Sequence, residues 1–173
     1  MDPEAEGIAR AIAGLARDTI TRVRSITRQL RPVTLDRLGL RDAITETVRE
    51  WAARHPGVHC DLCITGVFDA LDWSQNIAFF RVLQESLTNV SRHAGAERVW
   101  VSMTGRQLCH DGDAAGPFTL VVEDDGRGLP SPVRDGGLGL MTMSERMGAC
   151  GGELEIARGR AGGVRVTARL GTS

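Results

Sequence analysis

The sequence contains no lysine, so all 21 of its basic side chains are arginine. That absence excludes a phosphate-binding loop whose lysine reaches the β- and γ-phosphates. It equally excludes Schiff-base catalysis. Long apolar runs are missing too: nothing approaches the roughly 20 residues of a membrane span, and the N-terminus has no secretory leader pattern. A cytoplasmic location without membrane contact by this chain is therefore expected, any anchor belonging elsewhere in a longer polypeptide. Neither sign of charge is in excess, with 22 acidic side chains and a net charge of −1. A direct nucleic-acid partner is not expected, because the basic footprint of such proteins is lacking.

What is present is enough for one core plus an appendage: 173 residues, 42% of them hydrophobic. Four cysteines, Cys60, Cys63, Cys109 and Cys150, raise the question of a metal, the more so because Cys60 and Cys63 stand near His55 and His59. Yet Val58, Cys60, Leu62 and Ile64 alternate with His59, Asp61 and Cys63. A strand of that pattern sends Cys60 and Cys63 to opposite faces, so free thiols of a reducing compartment are expected.

From Pro3 to Leu30, apolar residues recur at Ile8, Ile12, Leu15, Ile20, Val23, Ile26 and Leu30, the stripe of a long amphipathic helix. Such a stripe needs a partner, and a homodimer is the expected solution. Pro32 ends the helix and a linker follows. The spacing then predicts a helix over Leu38–Arg54, a strand over Val58–Ile64, and a helix over Ser74–His93 capped by Asp72 or Ser74. Further strands are predicted at Val99–Met103 and Phe118–Glu123, with residues 107–117 as a loop between them. A helix over Leu140–Met147 and a terminal hairpin around Gly159–Gly163 complete five strands and three body helices.

Three stretches carry chemistry. Glu85 and Asn89 are four apart on a helix, and Arg92 is three further on, so the three share a face. Glu85 could orient or deprotonate a nucleophile, Asn89 offers a neutral oxygen to magnesium, and Arg92 could touch a phosphate. Alone, such a pair is an ordinary solvated helix face. Asp124 ends an apolar strand, where a buried carboxylate needs a donor such as the exocyclic amine of adenine. Gly126 and Gly128 then let backbone approach a flat ring. Gly137 and Gly139 open a helix whose free amides can hold phosphate oxygens. Residues 129–135 are the natural lid, and Asn89 and Asp124 are expected to border one cavity.

These stretches resemble the N, G1 and G2 boxes of the ATPase superfamily that includes DNA gyrase, the ninety-kilodalton heat-shock chaperone, sensor histidine kinases and mismatch-repair proteins. Leu30-Arg31-Pro32 with Leu35 and Leu38-Gly39-Leu40, Gln84-Glu85-Ser86-Leu87-Thr88-Asn89-Val90-Ser91-Arg92-His93-Ala94, and Gly137 through Arg146 are similar to one subgroup, the nitrate- and sugar-phosphate-type sensor kinases. The resemblance implies an α+β fold of the Bergerat type, a two-layer α/β sandwich in which a mixed five-stranded sheet lies under three helices, preceded by a long N-terminal helix. Residues 1–31 would be the second helix of a dimerisation hairpin and residues 32–173 the catalytic ATP-binding domain. ATP and Mg2+ would be the cofactors, with Asn89 as metal ligand and Glu85 as the catalytic carboxylate. Asp124 would recognise adenine, with Gly126, Gly128, Gly137, Leu138, Gly139 and Leu140 lining the pocket. Arg92 and His93 would lie near phosphate or ribose, and Thr167 would approach adenine from the last strand. The γ-phosphate would pass to a histidine and then to a response regulator with a DNA-binding output domain.

In one respect the chain departs from that subgroup. The phosphoacceptor histidine belongs to the first helix of the hairpin, and the N-terminal helix here has no histidine. His110-Asp111 stands in a glycine-rich loop and is rejected as the acceptor. A catalytic fragment of a histidine kinase is therefore the first expectation. An ATP hydrolase or serine-directed kinase on the same fold, and a non-catalytic dimeric module, remain alternatives.

Overall fold

The computed structural model describes residues 32–108, 114–128 and 138–171. The N-terminal helix expected over Pro3–Leu30, Cys109, the His110-Asp111 pair, Gly137 and the lid segment lie outside the described residues.

Helix α1 spans Val33–Arg54, longer than expected because residues 33–37, expected as linker, already form helical turns. Asp36 N–H donates to the carbonyl of Pro32 at 3.1 Å, so the proline starts a helix here. Gly39, at φ 74° and ψ 173°, then breaks the axis, a conformation that side chains disfavour. Leu38, the first residue of the expected helix, lies before that break and is 50% exposed, whereas Leu40, Ile44, Val48 and Trp51 are buried.

Strand β1 (His59–Thr65) leads to helix α2 (Trp73–Asn89). Asp72 caps α2 reciprocally: its carboxylate accepts from Gln75 N–H at 2.8 Å, and the Gln75 side chain accepts from Asp72 N–H at 2.9 Å. The helix expected to run on to His93 instead widens into a π-helical turn, Val90–Ala94, closed by Gly95 at φ 59°. Strand β2 (Arg98–Thr104) follows. A two-residue ribbon, β3 (Gln107–Leu108) with β4 (Ala114–Ala115), frames the stretch read as plain loop. Strand β5 (Phe118–Asp124), helix α3 (Leu138–Ala149), and strands β6 (Gly152–Arg158) and β7 (Val164–Leu170) complete the chain.

The five long strands form one mixed sheet in the order β1-β2-β5-β7-β6, with β1 parallel to β2 and the other pairs antiparallel. Register puts Val101 opposite Val122, and Leu120 opposite Met103 and Ala168, so one face is continuously apolar. The helices cover that face: α1 packs on β1, α2 on β5 and β7, and α3 on β6 and β7. Phe79, Phe80 and Phe118 are essentially fully buried between the layers; truncating any one to alanine would cost about 3–5 kcal/mol. Cys60 packs against this core from β1 while Cys63 is exposed, the opposite orientations that alternation required.

Candidate nucleotide site

Three consecutive carboxylates, the last two residues of β5 and the one that follows, take up different tasks. Asp124 shares the parity of Leu120 and Val122, so its side chain enters the face covered by helices, where it is 4% exposed. Gly126 N–H donates to its Oδ1 at 2.9 Å. Burial, the largest influence, pushes the Asp124 carboxyl above the usual carboxylate range; backbone hydrogen bonds from Gly126 and Val164 pull it down, and nearby Asp125 and Glu123 push it up. Asp125 is structural, accepting from Glu97 N–H and Arg98 N–H at 2.9 Å each and tying the exit of β5 to the start of β2. Glu123 points to the opposite face, where it accepts from Arg160 N–H at 2.6 Å and pairs with the Arg165 guanidinium at 2.8 Å, clamping the β6–β7 turn.

Glycines make room around Asp124. A Cβ at Gly163 would collide with the carbonyl and the carboxylate of Asp124 itself. A Cβ at Gly126 would run into the Ala94 backbone. Arg127 N–H donates to the Ala94 carbonyl at 3.0 Å, so the loop after Asp124 is pinned to the end of the π-helical turn. Gly128 takes φ 76°, close to the carbonyl of Gly162.

On the helical side, Glu85 and Asn89 are half-buried, and Arg92 and His93 are exposed. A groove of about 510 Å3 opens across α2 between α1 and α3. Glu85, Arg92 and Gly139 line it, together with Arg54, Arg81 and Arg146, which gives one carboxylate among four guanidinium groups. The start of α3 presses on α2 here: a Cβ at Gly139 would strike the Glu85 carboxylate. Leu140, the next residue of the helix entry, packs partly against the core.

The structure thus unites the expected residues in two clusters. Glu85, Arg92 and Gly139 meet at the groove; Asp124, Gly126 and Gly128 meet at the end of β5. Asn89, His93 and Asp124 do not line the groove. Asn89 is connected to the second cluster through Ala94, five residues further along the same helix.

Thr167 requires a correction. It is buried, but in register with Val121 and Glu155, on the sheet face opposite Asp124. Strand alternation cannot bring it to the side of Asp124, since a strand residue shares a face only with its cross-strand partners and with residues two positions away along its own strand. Val164 and Gly163, at the start of the same strand, are the residues beside Asp124. The Gly162-Gly163 pair ahead of the final strand was the available signal, because adjacent glycines there mark close backbone approach. Trp51, which no sequence motif singles out, hydrogen-bonds to Leu87 of α2 and to Ser91 of the π-helical turn, on either side of Asn89.

Residues 74–173 match the model of the histidine kinase-, DNA gyrase B- and HSP90-like ATPases. Over 137 residues the chain is 39% identical to the signal transduction histidine-protein kinase/phosphatase UhpB of Salmonella typhimurium, covering 78% of this chain and 25% of that protein. It is 34% identical over 167 residues to the sensor histidine kinase MctS of Rhizobium johnstonii, covering 94% of this chain and 34% of that one. It therefore spans only a quarter to a third of these relatives. Among solved structures, the histidine kinase domain of the Erythrobacter litoralis blue-light-activated kinase aligns with TM-score 0.55 at 20% identity, over 73% of this chain and 58% of that chain. The ATP-binding domain of PrrB from Mycobacterium tuberculosis aligns at 0.51 and 20%, over 76% and 93%. Both show the shared fold of three helices on a mixed sheet. A buried acid cradled by glycines, a helix-borne carboxylate against a second helix start, and the matching family model converge: this chain belongs to the histidine kinase-, DNA gyrase B- and HSP90-like ATPases.

Proposed function

We propose that the chain is the catalytic, ATP-binding part of a sensor histidine kinase that delivers the γ-phosphate to a histidine on a separate dimerisation helix. The observation that supports this most is the union of Asp124 with its glycine cradle and Ala94, a buried carboxylate beside the end of the helix that bears Glu85 and Asn89. Asp124 accepts the exocyclic amine of adenine, while Gly126, Gly128 and Gly163 leave room for the ring. Amides at the start of α3, from Leu138, Gly139 and Leu140, hold phosphate oxygens, and Gly137, outside the described residues, is assigned to the same phosphate-binding stretch from the sequence alone. Glu85 orients the incoming imidazole or takes its proton, and Arg92, with His93 next to it, faces the phosphates or ribose.

Magnesium fits this donor set. Among the described residues there is no group of three or more His, Cys, Asp or Glu side chains able to hold a metal, and magnesium commonly takes one or two protein oxygens, completing its shell with phosphates and water. Asn89 would hold it, and the ion would neutralise charge on the triphosphate. Residues 1–31 act as one helix of the dimerisation hairpin and residues 32–173 as the catalytic domain. A second copy of the chain is thereby a partner, and a response regulator with a DNA-binding output receives the phosphoryl group.

A separately supplied dimerisation hairpin carrying a histidine, mixed with this chain and labelled ATP, should acquire acid-labile label, and Asn89→Ala should abolish transfer with the fold intact. Acid-stable label on serine, or steady ATP turnover without transfer, would overturn the assignment.

A further inference from the structure

Trp51 lies on α1, far in sequence from the site, yet its indole is fastened to the part of α2 that carries Asn89. Its Nε1–H is shared between the Leu87 carbonyl at 3.1 Å and the Ser91 hydroxyl at 2.8 Å. The Ser91 hydroxyl donates to the same Leu87 carbonyl at 2.9 Å, closing a triangle. Leu87 and Ser91 flank Asn89 by two residues on either side. The triangle also spans the point where the α-helix gives way to the π-helical turn at Val90. The indole itself is held: Trp51 is 5% exposed, stacks on His55 with centroids 4.4 Å apart, and the His55 Nδ1 lies 2.8 Å from the Trp51 carbonyl.

A π-helical turn adds a residue to the ring closed by each hydrogen bond and is seldom stable without help from neighbours. Here the Leu87 carbonyl accepts side-chain donors from two elements, and the pitch at which Asn89, Arg92 and His93 leave the helix is set where those donors converge. We propose that Trp51 is a positioning residue for Asn89: its N–H fixes the α-to-π switch and thereby aims the amide at the metal. This rests on the assignment of Asn89 as magnesium ligand. Burial alone does not explain the geometry, since a phenyl ring would fill most of the same space without donating a hydrogen bond to Leu87 or Ser91.

The test compares ATP binding by calorimetry in EDTA and in excess Mg2+ for the wild type, Trp51→Phe and Ser91→Ala. Wild type should bind more tightly with magnesium. Trp51→Phe should keep the wild-type affinity in EDTA but lose about three- to tenfold of the magnesium-dependent gain, the expected effect of one hydrogen bond. Ser91→Ala, which removes one corner of the triangle without disturbing the ring, should show the same split more weakly, and it carries the test if Trp51→Phe does not fold. Equal losses in EDTA and magnesium would make Trp51 merely structural and overturn the proposal, as would an unchanged magnesium gain in both variants. Absence of any magnesium effect in the wild type would instead refute the role of Asn89, and the positioning role with it.

Discussion

Asp124→Asn should separate what the buried carboxylate does for the fold from what it does for the nucleotide. Because burial raises its pKa in the folded protein, Asp124 contributes stability that is fully present below the ordinary carboxylate range. That contribution is lost as pH rises through the raised value. Asparagine cannot ionise, yet it keeps an oxygen for the Gly126 N–H now 2.9 Å from Oδ1. The nucleotide-free variant should therefore be at least as stable as wild type near neutral pH, and its stability should depend less on pH between the acid range and neutrality. Binding should move the other way. A hydrogen bond from the adenine amine to a charged acceptor is worth about 1.5–3 kcal/mol, which is about 10- to 150-fold in Kd. Urea titrations at acidic and neutral pH without nucleotide, with calorimetric ATP titrations beside them, read both quantities. A loss of more than about 1 kcal/mol at neutral pH would mean the carboxylate is a structural acceptor like Asp125. ATP affinity within about twofold of wild type would remove adenine recognition from this residue.

Gly139→Ala should displace the Glu85 carboxylate, whose flexible end can yield, so the melting temperature should hold while phosphoryl transfer falls by about a hundredfold; unchanged transfer would show that the position of Glu85 does not matter. Asp72→Ala breaks the capping box of α2 and should cost about 1 kcal/mol in urea unfolding with ATP affinity intact, whereas a matching loss of affinity would show that the N-terminus of α2 is coupled to the site.

Much of the body was legible because it depends on periodicity. The alternation of Val99, Val101 and Met103, and the apolar run ending in Asp124, fix strands whose register follows from which face must be buried. The same parity argument correctly parted Cys60 from Cys63. It was not applied to β7, where counting two residues at a time from Val164 to Val166 and Ala168 would have put Thr167 on the other face. Gly39 was visible as a glycine but not as a break, because the residues around it have helical spacing and its φ of 74° and ψ of 173° are seen only in the folded chain.

By itself the sequence determined the chemistry available: no lysine, a carboxylate and an amide one helical turn apart, an acid at the end of an apolar strand, and glycines where a ligand must come close. These are local properties, set by residue type and by spacings of two or four. Tertiary structure alone decided which of three adjacent acids, Glu123, Asp124 or Asp125, is buried on the face covered by the helices. It also decided that Gly139 touches Glu85 and that Trp51 reaches across 36 residues to Leu87. Such contacts depend on how two layers settle against each other, and the volumes and hydrogen bonds that select one arrangement come from residues far apart in the chain.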